Sequence, residues 1–153
     1  METKQTAKSS THDLFQRWKF EDRELAARID ETRKWMQQVA ERGTPRFGET
    51  GSQLTQLRSF LLMHFGREAD LCNRLDSLYK KPCPEIEAMR RQATNDHEQL
   101  LSQLDELIAK LNALEPPFDS WQAAIEQVES FADLLEQHEE QEAESILALS
   151  ACQ

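Results

Sequence analysis

Glycine and proline are scarce, four and five residues respectively in a chain of 153, so few positions interrupt regular structure. Basic residues are outnumbered: 18 Lys and Arg stand against 28 Asp and Glu, a net charge of −10. That deficit excludes nucleic acid and anionic membrane surfaces as partners, because affinity for polyphosphates comes mainly from cationic side chains that release counterions. Long apolar runs are missing as well. None approaches the roughly 20 residues that span a bilayer. The opening METKQTAKSSTHD lacks the apolar core of a signal peptide, and the expected location is cytoplasmic. Cysteine is limited to Cys72, Cys83 and Cys152 with no Cys-x-x-Cys pair, which argues against a disulfide framework or a thiolate zinc site and for reduced structural thiols.

What remains is dominated by Leu, Glu, Gln, Ala and Arg, all good helix formers. The length suits one ordinary domain with a sizeable core. Residues 1–10 are polar and without apolar periodicity, and are expected to form a disordered tail ahead of a single domain over 11–153. Breaks are expected at RGTPRFGETGS (42–52), KKPCPE (80–85) and EPPFDS (115–120), the last with an Asp-Ser able to cap the next helix. Four helical segments follow, about 12–41, 53–79, 85–114 and 119–150. Short connections between long helices predict an all-α, up-down-up-down four-helix bundle.

Alternating steps of three and four residues mark the faces turned inward. The second segment gives Leu54, Leu57, Leu61, His64, Glu68, Leu71, Leu75 and Leu78. The fourth gives Trp121, Ala124, Val128, Phe131, Leu135, His138, Glu142, Ser145 and Leu149. On the third, His97 falls on the stripe that carries Ile86, Leu100, Leu104, Leu107, Leu111 and Leu114; on the first, Asp22 falls between Trp18 and Leu25. His64 and His138 are 74 residues apart, as are Glu68 and Glu142, while Asp22 and His97 are 75 apart. The second helix pair therefore reads as an internal repeat of the first.

Ionisable groups on a buried seam are costly unless partnered. A single core histidine is commonly just a hydrogen-bonded one, but two His-x3-Glu pairs with a third histidine in phase call for a divalent cation. Nitrogen and carboxylate donors in this mixture suit iron, manganese or zinc. Six candidates, His64, Glu68, His97, His138, Glu142 and Asp22, exceed the needs of one tetrahedral ion, so two ions are expected, with Glu68 and Glu142 able to bridge them. Glu139, Glu140 and Glu144 read as a solvated face, and His12 as a surface residue. Phe60, Phe65, Phe131, Leu101 and Leu135 flank the expected metals and could form an apolar pocket. The Glu-x-x-His signature of ferritin-like diiron bundles is absent, and no nucleophile with an adjacent base marks a hydrolase.

HFGRE (64–68), NDHEQL (95–100) and HEEQE (138–142) resemble the second, third and fourth elements of the hemerythrin-like, or HHE cation-binding, family, and the likeness covers residues 12–150. The resemblance implies a non-haem diiron centre, with Glu68 and Glu142 bridging and His64, His97 and His138 as terminal ligands. It implies a protein that binds dioxygen, another diatomic or a peroxide for sensing, storage or redox roles, more a binding protein than an enzyme. The run EDRELAARID departs from the family's DHREL-like start: Asp22 stands where a histidine is expected, with Glu21 or Glu24 as substitutes if the register shifts. Leu101 stands where oxygen carriers place a further histidine, which argues against oxygen transport in the strict sense. The competing expectation is a degenerate bundle with one metal or none, serving as a structural or interaction domain. No protein partner is indicated.

Overall fold

A computed structural model describes the backbone over 2–79, 81 and 83–149, and side chains within those ranges from Thr11 onward. It contains four helices: α1 (Glu2–Arg42), α2 (Phe47–Leu78), α3 (Pro84–Asn112) and α4 (Trp121–Ala148). No strand occurs among the described residues. The backbone over 2–10, expected as a tail, continues α1 ahead of the expected start near residue 12, and the side chains there fall outside those described. Neighbours in the chain pack together, α1 on α2, α2 on α3 and α3 on α4, and α4 closes the ring against α1. The order is that of an up-down-up-down bundle. No described helix is long and apolar enough to cross a membrane.

The helix ends follow local chemistry. Gly43, at φ 73°, takes the left-handed conformation that stops α1, and its amide donates to the Ala40 carbonyl at 3.1 Å. The break expected over 42–52 is shorter than the glycines suggest, because α2 already starts at Phe47. Phe47 anchors that start by stacking on Phe118, with centroids 5.8 Å apart, and by meeting Trp121 edge-on at 5.4 Å. Gly51 serves packing rather than a turn: a Cβ there would run into the Asn112 side-chain amide at the end of α3. Proline at the first position of α3 fits a site whose amide needs no partner. α4 is capped by Ser120, whose hydroxyl accepts from the Ala123 amide at 3.1 Å. Leu114, expected on the third seam, is fully exposed because α3 ends before it.

The apolar core is in two pieces. The larger includes Leu25, Ile29, Leu54, Leu61, Leu104, Phe131 and Leu135; the smaller includes Leu14, Trp18, Leu71, Leu75, Ile86, Met89 and Ile146. Along every helix the expected polar seam residues fall between the two. Asp22 lies between Trp18 and Leu25, His97 between Met89 and Leu100, and the His-x3-Glu pairs occupy the same level on α2 and α4. Among the cysteines, Cys72 is free and buried beside the smaller piece. Cys83, in contrast, is disulfide-bonded, which corrects the expectation of three reduced thiols.

Candidate metal centre

Burial follows from the periodicity. His64 is 0% exposed, Glu68 2%, His138 5% and Glu142 6%, so one helical turn of α2 and one of α4 present both their polar residues inward. His97 is partly buried, its ring lying flat on Phe65 with centroids 3.7 Å apart and planes 7° apart. Asp22 is also partly buried, with Oδ1 fully enclosed.

These side chains gather into two groups. His97, His138 and Glu142 form one; Asp22, His64, Glu68 and Glu139 form the other. Within each, one donor atom from every member lies within 4.8 Å of the rest, close enough for a single ion to be shared. In the first group His97 Nε2 is 3.1 Å from His138 Nε2 and 3.3 Å from Glu142 Oε1, and His138 Nε2 is 3.1 Å from the same oxygen. In the second, His64 Nε2 is 2.7 Å from Glu68 Oε1 and 3.3 Å from Glu139 Oε1. The 2.7 Å approach lacks hydrogen-bond geometry, and Glu68 Oε1 has no hydrogen-bond partner. Asp22 Oδ1, His64 Nδ1 and Glu142 Oε2 are likewise buried without one. Each such atom costs about 1–3 kcal/mol when no cation or water satisfies it.

Outer residues set the orientation of the rings. Asp96 Oδ2 is 3.1 Å from His138 Nδ1, so Nδ1–H can donate to Asp96 while Nε2 faces Glu142, donating to it when the ring is protonated and free to meet a cation when it is not. Glu21 Oε2 stands 3.6 Å behind His64 Nδ1 in the corresponding place and is itself held by Arg67. Trp18 Nε1 donates to Glu68 Oε2 at 3.0 Å. Of the two substitutes considered for Asp22, Glu21 is thus one layer out and Glu24 is exposed, while Asp22 itself lies in the cluster.

The electrostatics are those of crowded carboxyls without a counter-ion. Burial, then the hydrogen bond and negative charge of Glu139, push Asp22 up to about 8. Burial and the hydrogen bond shared with Glu142 raise Glu68 well above the carboxylate range. Burial also works against ionising Glu142, but bonds from Glu68, His138 and His97 outweigh it and hold that group below its ordinary value. For His64 and His138 burial disfavours the charged ring; Glu139 for the first and Glu142 for the second reverse this, and both are raised. Two carboxyl pairs, Asp22 with Glu139 and Glu68 with Glu142, therefore each hold a proton where a cation would serve.

Glu139 is the main residue that seam-counting misplaces on the solvated face; its side chain is only 12% exposed. A single three-four stripe selects His138 and Glu142 and passes over the position between. A second stripe, Leu135, Glu139, Glu142 and Ile146, shares the buried face, and the broader apolar arc of a bundle helix would have included it. Trp18 lies on the first-helix seam and Asp96 beside the third, but spacing alone does not disclose their contacts with Glu68 and His138.

Beside the centre, between α2 and α3, a cavity of about 180 Å³ is lined by Glu68, Cys72, Met89, Arg90, His97 and Glu142 among others. The pocket expected from Phe60, Phe65, Phe131, Leu101 and Leu135 is not this one, since those residues are packed in or against the larger apolar cluster.

Residues 13–149 match the family model described as the hemerythrin HHE cation-binding domain, and the chain belongs to that family. No curated protein and no solved structure matches the chain.

Proposed function

We propose that this member of the hemerythrin HHE family holds two divalent ions, iron in the first instance, and binds dioxygen or another small diatomic or peroxide there for sensing, storage or redox chemistry. One observation carries the reading: seven ionisable side chains converge at one level of the core with four buried donor atoms left unpartnered. Three imidazoles and the carboxylates of Asp22, Glu68, Glu139 and Glu142 would balance the charge of two divalent ions. Glu68 and Glu142, which interact across the two groups, would bridge the ions, and His64, His97, His138, Asp22 and Glu139 would complete the two positions. Zinc or manganese would suit the same donors. The cavity beside Glu68 and Glu142 gives the small molecule room, since one of about 150 Å³ already admits benzene. Bound metal would supply the redox chemistry; the chain's own part is to hold the ions, exclude bulk water and admit a small ligand.

The metal-free structural bundle has less support, because Asp22, standing where the family pattern has a histidine, lies within the cluster of His64, Glu68 and Glu139. Protein produced in iron-supplemented cells is expected to carry about two irons per chain and an optical spectrum that changes on exposure to air. Replacing Glu68 and Glu142 together by Gln removes both ions. A folded wild-type chain that neither carries nor takes up metal overturns the proposal. A second measurement concerns orientation. Asp96→Ala, which deletes the acceptor behind His138, is expected to weaken metal binding by about 10–100-fold, read by competition with a chelator.

A further inference from the structure

The two halves of the bundle repeat one another, and the places where the repeat fails decide the character of each ligand group. His64 and Glu68 correspond to His138 and Glu142, and the same offset of 74 residues pairs Phe65 with Glu139. Phe65 lies flat on His97 and closes one side of its group with an aromatic face. Glu139 crosses to the other group, with its two oxygens 3.3 and 3.4 Å from His64 Nε2 and a hydrogen bond to Asp22. The second failure of the repeat is Asp22 against His97. Both changes act in one direction. One group offers two imidazoles and a carboxylate, the other three carboxylates and one imidazole. His64 and Glu68, both almost wholly buried, keep unpartnered atoms in the oxygen-rich group.

Resting on the two-metal reading above, we infer that the two positions are unlike, and that Glu139 is the ligand that makes them so. The oxygen-rich position of Asp22, His64, Glu68 and Glu139 takes a hard divalent ion such as Mn(II); the imidazole-rich position of His97, His138 and Glu142 takes a borderline ion such as Zn(II) or Fe(II). Carboxylates favour manganese and imidazoles favour zinc and iron. Zinc outcompetes manganese at most single sites, so limiting zinc should fill the imidazole-rich position first and leave the other to manganese.

The test supplies metal-stripped protein with one equivalent each of Zn(II) and Mn(II) per chain, removes unbound ions by gel filtration, and reads zinc and manganese by emission spectrometry and bound Mn(II) by electron paramagnetic resonance. Wild type is expected to retain about one of each. Glu139→Gln keeps its zinc and binds manganese at least about tenfold more weakly, whereas Glu140→Gln, at an exposed neighbour, behaves as wild type. Asp22→Asn, on the opposite side of the same group, gives the same split and serves if Glu139→Gln fails to fold, as judged by circular dichroism. Unchanged manganese retention in folded Glu139→Gln and Asp22→Asn, or parallel loss of both metals, overturns the inference and leaves the two-metal reading standing. A wild-type chain that retains neither metal overturns that reading itself.

Discussion

A metal-free variant with Trp18→Phe and with His64, Glu68, His138 and Glu142 all replaced by Leu is expected to be more stable than the metal-free parent by about 1–4 kcal/mol. In a chain of this size the gain reads as a melting temperature higher by roughly 2–15 °C. The parent leaves Glu68 Oε1, His64 Nδ1 and Glu142 Oε2 buried without hydrogen-bond partners and forces Glu68 and Glu142 into contact. Leucine has a similar volume, removes those orphaned groups, and contributes about 1.5–3 kcal/mol per fully buried side chain. Trp18→Phe accompanies the change because its indole N–H would otherwise lose Glu68 as acceptor. Saturating metal reverses the order. At a thousand times its dissociation constant a ligand adds about 4 kcal/mol to the parent and far less to the variant, which keeps only Asp22, His97 and Glu139 from the two groups. Thermal melts of both proteins, with and without metal, make the comparison. A leucine variant that melts below the metal-free parent would show that the polar layer is self-sufficient.

The stability of the metal-free protein is expected to fall as pH rises from about 5 to 8.5, the reverse of the trend for a fold held by ion pairs. Asp22 is raised to about 8 and Glu68 is raised well above its ordinary range, so the folded chain binds protons that the unfolded chain has released. Such groups contribute fully below the unfolded carboxylate range, near pH 4, and lose that contribution as pH passes through the folded value. The raised His64 and His138 act with the same sign, from their unfolded value near 6.5 upward. Glu142 acts oppositely: it is lowered, so its contribution is present above the carboxylate range and is lost in acid. The metal-free optimum should therefore lie at mildly acidic pH, with the melting temperature on the order of 5 °C lower by pH 8.5. Metal reverses the slope, because ions displace those protons and bind more tightly as pH rises. Melting at pH 5.5, 7 and 8.5 with and without metal reads both trends. A metal-free protein whose melting temperature rises over that range would count against the protonated pairs.

The sequence made the bundle and its inner level legible for a physical reason: leucine spacing reports helix faces directly. His64, Glu68, His138 and Glu142 were found because they interrupt that spacing in phase, and all four are buried. Asp22 and His97 came from the same periodicity, but each is only partly buried, which an inward phase alone does not reveal. Glu139 escapes a single three-four stripe and falls only within the wider buried arc of α4. The role of Asp96 depends on the rotation of α3 against α4. Gly48 and Gly51 read as a turn, yet they lie inside α2, where a Cβ at Gly51 would meet the Asn112 side chain and one at Gly48 would meet nothing. Cys83 shows the same limit, since spacing did not disclose its disulfide.

The division of the core into two apolar pieces has a consequence for how the helices align along their axes. Four stripes of leucine would tolerate a slide of one helix by a heptad, because leucine would again meet leucine. With Asp22, His64, Glu68, His97, His138 and Glu142 on one level, any such slide carries charged or imidazole groups into an apolar layer and strands their partners. Register is thereby specified by the costliest residues in the interior. The leucine-filled variant would gain stability while losing that specification, so its added heat resistance should come with alternative helix alignments.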